Sequence, residues 1–159
     1  MMRELILLRH AHAEPTGIGQ TDFDRSLSQQ GMIEAEAAGH WLCKQHLIPD
    51  RVLCSPARRT RETLEAIVAV LGDVEQRLEE RLYEATVGTL MALADECRDV
   101  DRLLLVGHNP SMERLVSLIH SNKSSDDVGM STGSIALLTL PLKTGIELDT
   151  ICLTALWWP

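Results

Sequence analysis

The chain of 159 residues is the size of one domain, and with 45% apolar and 24% charged residues it is neither a disordered tail nor a fibre. One Tyr, one Phe and three Trp leave an aliphatic core and nearly exclude an aromatic platform for stacking bases. Fifteen basic against 23 acidic residues give a formal charge of -8, so no nucleic-acid partner is expected.

The first element is the continuous apolar run Leu5-Ile6-Leu7-Leu8, as expected of a strand covered on both faces. Ser28 is placed to cap a helix carrying Ile33, Ala37, Trp41 and Leu42 on one face. A second buried strand, Arg51-Val52-Leu53-Cys54, leads into Ser55-Pro56, read as N-cap and first helical residue, with Leu64, Ile67, Val68 and Leu71 at helical spacing. A third helix starts near Thr86 and includes Leu90, Leu93, Ala94 and Cys97. The run Leu103-Leu104-Leu105-Val106 is the third strand, and Asn109-Pro110 opens a helix with Met112, Leu115, Val116 and Ile119. Ser121 to Asp127 reads as a polar loop. Ser134 to Leu140 and Leu148 to Leu156 read as two closing strands joined around Lys143-Thr144-Gly145. Strand and helix alternate without repeat or linker, so the expectation is a single α/β domain over residues 1–159.

Cys43, Cys54, Cys97 and Cys152 lie far apart with no C-x-x-C pair, arguing against a zinc knuckle or a disulfide scaffold. The four apolar residues before Arg9 are too few for a signal sequence, and no run approaches the roughly 18 needed to span a bilayer. A reduced, cytoplasmic protein with no membrane partner is expected.

The chemistry follows the strands. The first ends in Arg9-His10-Ala11-His12, the second in Ser55-Pro56-Ala57-Arg58-Arg59, and the third in Gly107-His108-Asn109-Pro110. Ligands of open α/β sheets bind outside the carboxyl ends of parallel strands, so imidazoles and guanidiniums are expected at one edge. A cationic pocket in an acidic protein points to an anion. Guanidinium forks and helix N-termini fit phosphate oxygens, and an unprotonated imidazole can attack phosphorus.

These residues resemble the histidine phosphatase superfamily, the phosphoglycerate mutase-like fold. Leu8-Arg9-His10-Ala11 is similar to its Arg-His-Gly signature, and Ser55-Pro56 through Thr63 resembles its Ser-Pro-x-x-Arg-x-x-x-Thr segment. Gly107-His108-Asn109-Pro110 resembles its second histidine motif. Asp24 to Gly31 is similar to a segment of the short SixA-like phosphohistidine phosphatases, with Ser26 where proline is common and Ala11 where glycine is usual.

The resemblance implies a three-layer α/β/α fold with a mostly parallel central sheet and no metal or other cofactor. It implies that His10 is the phosphorylated nucleophile and that Arg9, Arg59 and His108 complete a phosphate pocket, with Ser55 and Asn109 as further substrate contacts. Glu84 resembles the family's proton-donating carboxylate; Asp24 is the second candidate, and a phosphoramidate leaving group can do without either. The implied activity is hydrolysis of phosphohistidine on histidine phosphotransfer proteins, in signal transduction. The alternatives are hydrolysis of small, sugar-phosphate-type phosphomonoesters and non-catalytic phosphoprotein binding. The segments 13–31 and 73–86 are short for a lid, which favours a protein-borne substrate over an enclosed metabolite.

Rival chemistries fare worse. A metal site of His10, His12, Asp22, Asp24 and His108 lacks the extended metallohydrolase pattern, because Glu14 and Pro15 follow. A cysteine phosphatase needs Cys-x5-Arg, and from Cys54 that spacing lands on Thr60. Arg58 and Arg61 read as surface helix charges, His12 as a loop residue, His40, His46 and His120 as surface histidines, Thr132-Gly133 as a plain turn, and Trp157-Trp158-Pro159 as a packed or frayed end.

Overall fold

Alternate residues of the first apolar run enter two different cores, which makes the fold three-layered. In the computed structural model, which describes residues 2–121, 129–142 and 145–159, β1 (Met2–Arg9) sends Leu5 and Leu7 to one face and Ile6 and Leu8 to the other. All four are essentially inaccessible to water, each burial stabilising by roughly 1.5–3 kcal/mol.

The remaining elements follow in order: α1 (Gln29–Lys44), β2 (Arg51–Cys54), α2 (Arg58–Leu71), β3 (Glu75–Leu78), α3 (Val87–Glu96), β4 (Arg102–Gly107), α4 (Ser111–Ser121), β5 (Ile135–Pro141) and β6 (Cys152–Trp157). The sheet order is β3-β2-β4-β1-β5-β6. The four strands β3, β2, β4 and β1 are mutually parallel, while β5 runs antiparallel to β1 and β6 antiparallel to β5. The sheet is therefore mixed, with four of its six strands parallel. Helices α1 and α2 pack on the Ile6 face; α3 and α4 pack on the Leu5 face. The parallel register, with Leu8 beside Val106 and Cys54 beside Val106, brings the ends of β1, β2 and β4 level at one sheet edge.

Several boundaries differ from the sequence reading. Helix α1 starts as expected, with Ser28 Oγ accepting from the Gly31 amide at 3.0 Å. Its buried face, however, is Gly31, Ala35, Ala38, Gly39 and Leu42, and Ile33 is 66% exposed. The helix approaches its neighbours too closely for large side chains: a Cβ on Gly39 would meet Val70 at 3.2 Å. Large apolar residues were thus misleading markers of the inner face. Helix α2 starts at Arg58 with Ala57 as cap, because the Ser55 amide still pairs with Val106 O as a continuation of the sheet. Helix α4 starts at Ser111, and the Asn109 side chain is spent as a donor elsewhere.

Strand β3 falls in the segment 73–86, to which the sequence pattern assigns no element. Its four residues are all exposed and carry no apolar pattern; they are held to Arg51, whose Nε donates to Glu75 and whose fork grips Asp99 at 2.8 Å. Residues 148–150 form a 3-10 turn, so the last strand begins only at Cys152. Trp157 stacks on Trp41 at 5.5 Å, whereas Trp158 is exposed. Residues 122–127 of the polar loop, together with 143 and 144, lie outside the described residues.

One glycine fixes how α1 meets the site. A Cβ on Gly31 would sit 2.0 Å from the His12 carbonyl oxygen, which itself accepts from the Ser28 amide at 3.0 Å. Gly31→Ala therefore forces the segment after His10 off the helix and should destabilise by roughly 1–3 kcal/mol in urea unfolding, while Gly88→Ala, with only Thr86 Oγ1 within contact at 3.6 Å, should not. Equal stability of the two variants would show that this packing can yield freely.

Candidate active site

His10 leaves the sheet edge with its amide bonded to Gly107 O at 2.9 Å, so β1 and β4 jointly set its backbone. Behind it, Gly133 donates to both Arg9 O and His10 O; its φ of +75° is a conformation glycine takes without strain. Ala11 is fully buried, its amide donates to Thr63 Oγ1 at 3.1 Å, and Thr63 in turn donates to Arg59 O at 2.7 Å. That hydroxyl chain ties the loop after β1 to the first turn of α2. The methyl of Ala11 is absorbed in a small cluster with Leu27 and Ala35, so the departure from glycine has a place in the packing.

The ring of His10 has a defined tautomer. Nδ1 lies 2.7 Å from Ala11 O, a carbonyl that can only accept, so Nδ1 carries the hydrogen and Nε2 presents a lone pair. Arg59 Nε donates to that Nε2 at 3.4 Å, and Arg59 Nη2 lies 3.4 Å from His108 Nδ1. His108 Nε2 lies 2.8 Å from Ser55 Oγ, whose hydroxyl can donate to it and leave the hydrogen of the neutral ring on Nδ1. The two imidazole rings are 5.3 Å apart, centre to centre. Burial pushes His10 down to about 4, opposed in part by its Ala11 bond and reinforced, each more weakly, by the guanidiniums of Arg59 and Arg9. Burial, then His10 and Arg59, push His108 down to about 3. Both imidazoles are neutral at pH 7.

Arg9 completes the group. One Nη donates to Met130 O at 2.9 Å, but its buried Nε has no hydrogen-bond partner among the described residues. A buried guanidinium N–H without an acceptor is costly. Outward from the histidines lies an open cleft of about 380 Å³ lined by Asp22, Arg59, Tyr83, Glu84, Ala85, His108, Asn109, Pro110 and Ser111.

The structure thus brings His10, Arg59 and His108 together with Arg9 nearby, and places Glu84 and Asn109 on the cleft. Asn109 donates through Nδ2 to Glu113 and Met130 O, leaving its buried Oδ1 without a partner among the described residues. Ser55 is fully buried behind His108, so its hydroxyl orients that ring and does not reach the cleft. Asp24 is exposed, accepts from Thr21 Oγ1 at 2.9 Å and does not line the cleft. Arg58 is exposed and faces Glu62 at 3.6 Å. His12 bonds Ser28 Oγ at 2.6 Å. Among the described residues no group of three His, Cys, Asp or Glu side chains is arranged to hold a metal ion.

Two residues of the cleft were missed as parts of a phosphate site. Asp22 entered only as a conceivable metal ligand, and Tyr83 only as a neighbour of Glu84. Asp22 accepts from Arg59 Nη2 through Oδ2 at 3.0 Å, and the same Oδ2 accepts from Tyr83 OH at 2.7 Å. The ring of Tyr83 stands edge-on to His108 at 5.5 Å. The one available signal was the lone Tyr of the chain, adjacent to a singled-out carboxylate.

Comparison with known proteins agrees with this geometry. The model of the histidine phosphatase superfamily (branch 1) matches residues 5–114. An uncharacterized Mycobacterium tuberculosis protein, Rv1276c, is 40% identical over 121 residues, covering 75% of this chain and 73% of its own. A crystal structure from Agrobacterium tumefaciens, assigned as the phosphohistidine phosphatase SixA, superposes with a TM-score of 0.85 at 28% identity over 100% of this chain and 99% of that one. The protein histidine phosphatase SixA complexed with tungstate shares the fold at a TM-score of 0.82 and 22% identity, over 98% of this chain and 96% of that one. With a family match that spans most of its length and the paired histidines and arginine of that family meeting at one sheet edge, the chain belongs to the histidine phosphatase superfamily.

Proposed function

We propose that the protein is a metal-independent phosphatase that works through a phosphohistidine intermediate on His10, and that its substrate is phosphohistidine carried on a cytoplasmic protein. The observation that carries this reading is the meeting of His10 Nε2, the Nε–Nη2 edge of Arg59 and His108 in a site where both imidazoles stay neutral. In the first step the Nε2 lone pair attacks phosphorus. The bond from phosphorus to the substrate's leaving atom breaks, and its electron pair goes to that atom. Arg9, Arg59 and His108 hold the three transferring oxygens. In the second step a water oxygen attacks phosphorus, the P–Nε2 bond returns its pair to the ring, the water proton passes to solvent, and inorganic phosphate leaves.

Two features favour a phosphohistidine over a phosphorylated acid. The cleft is open, and the carboxylates of Asp22 and Glu84 line its mouth. A second anionic group on the leaving side would meet them unfavourably, whereas a protonated imidazole would not. A small neutral phosphomonoester is the second reading, favoured by the cleft volume of about 380 Å³, which suits a metabolite. Purified protein offered phosphohistidine, phosphoserine and sugar phosphates, each with and without chelator, decides between them; selective, chelator-insensitive turnover of phosphohistidine is expected.

His10→Ala should abolish turnover of every substrate, and acid-labile phosphate trapped on His10 of the wild type excludes a mere binding module. Arg59→Ala should cost about 3 kcal/mol of transition-state stabilisation in kcat/KM, while Arg58→Ala should cost little. Equal losses from the two would refute the register. The pH dependence follows from the neutral nucleophile. Protonation removes the Nε2 lone pair, so kcat/KM for p-nitrophenyl phosphate, corrected for substrate ionisation, should hold below pH 6 and fall through about pH 4. An acid limb near pH 6.5 would place His10 in ordinary solvent.

A further inference from the structure

Arg59 offers two edges, and only one faces the histidines. Its Nε and Nη2 point to His10 Nε2 and His108 Nδ1, while on the other edge Nη1 donates to Asp22 O at 2.7 Å and Nη2 to Asp22 Oδ2 at 3.0 Å. Two further side chains hold Asp22. Tyr83 OH donates to Oδ2 at 2.7 Å, Arg25 Nη1 donates to Oδ1 at 3.1 Å, and Arg25 Nε anchors to Glu14 O at 2.9 Å. The ring of Phe23, next along the same 3-10 turn, meets Tyr83 edge-on at 5.2 Å. The turn Asp22–Asp24 buries none of its residues, so these polar and ring contacts hold it where apolar burial does not.

We propose that Asp22 and Tyr83 are positioning residues: they clasp the outer edge of Arg59 so that its inner edge stays aimed at the phosphoryl group between His10 and His108. The proposal rests on the phosphatase reading above. It gives Asp22 no part in proton transfer. Both its oxygens already accept hydrogen bonds, and the Tyr83 hydroxyl, then Arg25 and Arg59, hold the carboxyl down to about 2, which leaves it a poor acid and a poor base at neutral pH. An arginine side chain otherwise has many rotamers, and fixing the fork in advance removes that ordering cost from the binding step.

The test exploits a difference of sign. Charge alone says that Asp22→Asn, which removes a negative group beside an anion site, should tighten binding of inorganic phosphate. Positioning says that it should weaken it. We expect calorimetry to show inorganic phosphate bound roughly 10- to 100-fold more weakly by Asp22→Asn, a loss of the size outer-shell partners produce, and kcat/KM for p-nitrophenyl phosphate reduced in parallel. The melting temperature should stay near that of wild type, because the Asp22 side chain is 52% exposed. Tyr83→Phe should show a smaller loss in the same direction, and Glu36→Gln, which removes an equal charge from the exposed side of α1, should show none. In an Arg59→Lys background, whose ammonium has no second edge to clasp, Asp22→Asn should cost nothing further. Unchanged or tighter phosphate binding by Asp22→Asn, or a full Asp22→Asn loss in the Arg59→Lys background, overturns the clasp. Wild-type protein that neither binds inorganic phosphate nor turns over phosphohistidine, phosphoserine or sugar phosphates overturns the phosphatase reading itself, and the clasp with it.

Discussion

A guanidinium wedged between two imidazoles is the interaction on which this site depends. Arg59 is only 6% exposed, and its charge in that desolvated setting works with burial to keep His10 and His108 unprotonated. An imidazolium cannot attack phosphorus, so on the proposed reading the same cation that would hold the anion also keeps the nucleophile competent. The guanidinium's outer edge must find acceptors, because bare buried N–H groups are costly. Asp22 supplies them through one backbone carbonyl and one carboxylate oxygen. In a chain of net charge -8, the positive potential is thereby confined to a small recess behind a rim of carboxylates.

The sheet explains why such a group can be held at all. His10 follows a strand whose residues are buried on both faces, and its neighbour β4 contributes both the Gly107 carbonyl that fixes the His10 amide and, one residue later, His108. Arg59 arrives from the first turn of α2, and the Thr63 hydroxyl bonds that helix to the Ala11 amide. Three separate segments are therefore locked to one another by backbone hydrogen bonds and buried hydroxyls within a few residues of the reacting atoms. Rigidity is inherited from the core and does not have to be built locally.

What the sequence disclosed follows the strength of each local signal. Leu5–Leu8, Arg51–Cys54 and Leu103–Val106 are continuous apolar runs that only a doubly covered strand explains, and the polar residues directly after them were accordingly visible as a cluster at one edge. Gly31 and Ala38 were poor markers of a buried face because small residues signal close approach, which composition does not distinguish from indifference. Strand β3 left no trace, since its exposed residues are ordered by Arg51 across the chain and by pairing to β2. Asp22 and Tyr83 were equally hidden: each sits in a short polar segment, and their relation is created by the fold across a sequence separation of 61 residues. Ser55 illustrates a subtler failure. Its hydroxyl could cap a helix, but that hydroxyl bonds His108 Nε2 while its amide carries the sheet on to Val106 O.

The question of a proton donor looks different once the cleft is described. Asp24 faces away from it, bonded to Thr21. Asp22 faces it but is held ionised by the groups it clasps. Glu84 remains, exposed at the mouth, where the leaving group of an ester would depart. An alkoxide needs a proton as the P–O bond breaks, so an ester would have to reach Glu84. A phosphoramidate of imidazole carries its own proton on the second ring nitrogen and leaves as a neutral molecule, with no donor required. The cleft, with a cationic floor and a carboxylate rim, therefore matches a substrate that brings an anion to the floor and a cation to the rim.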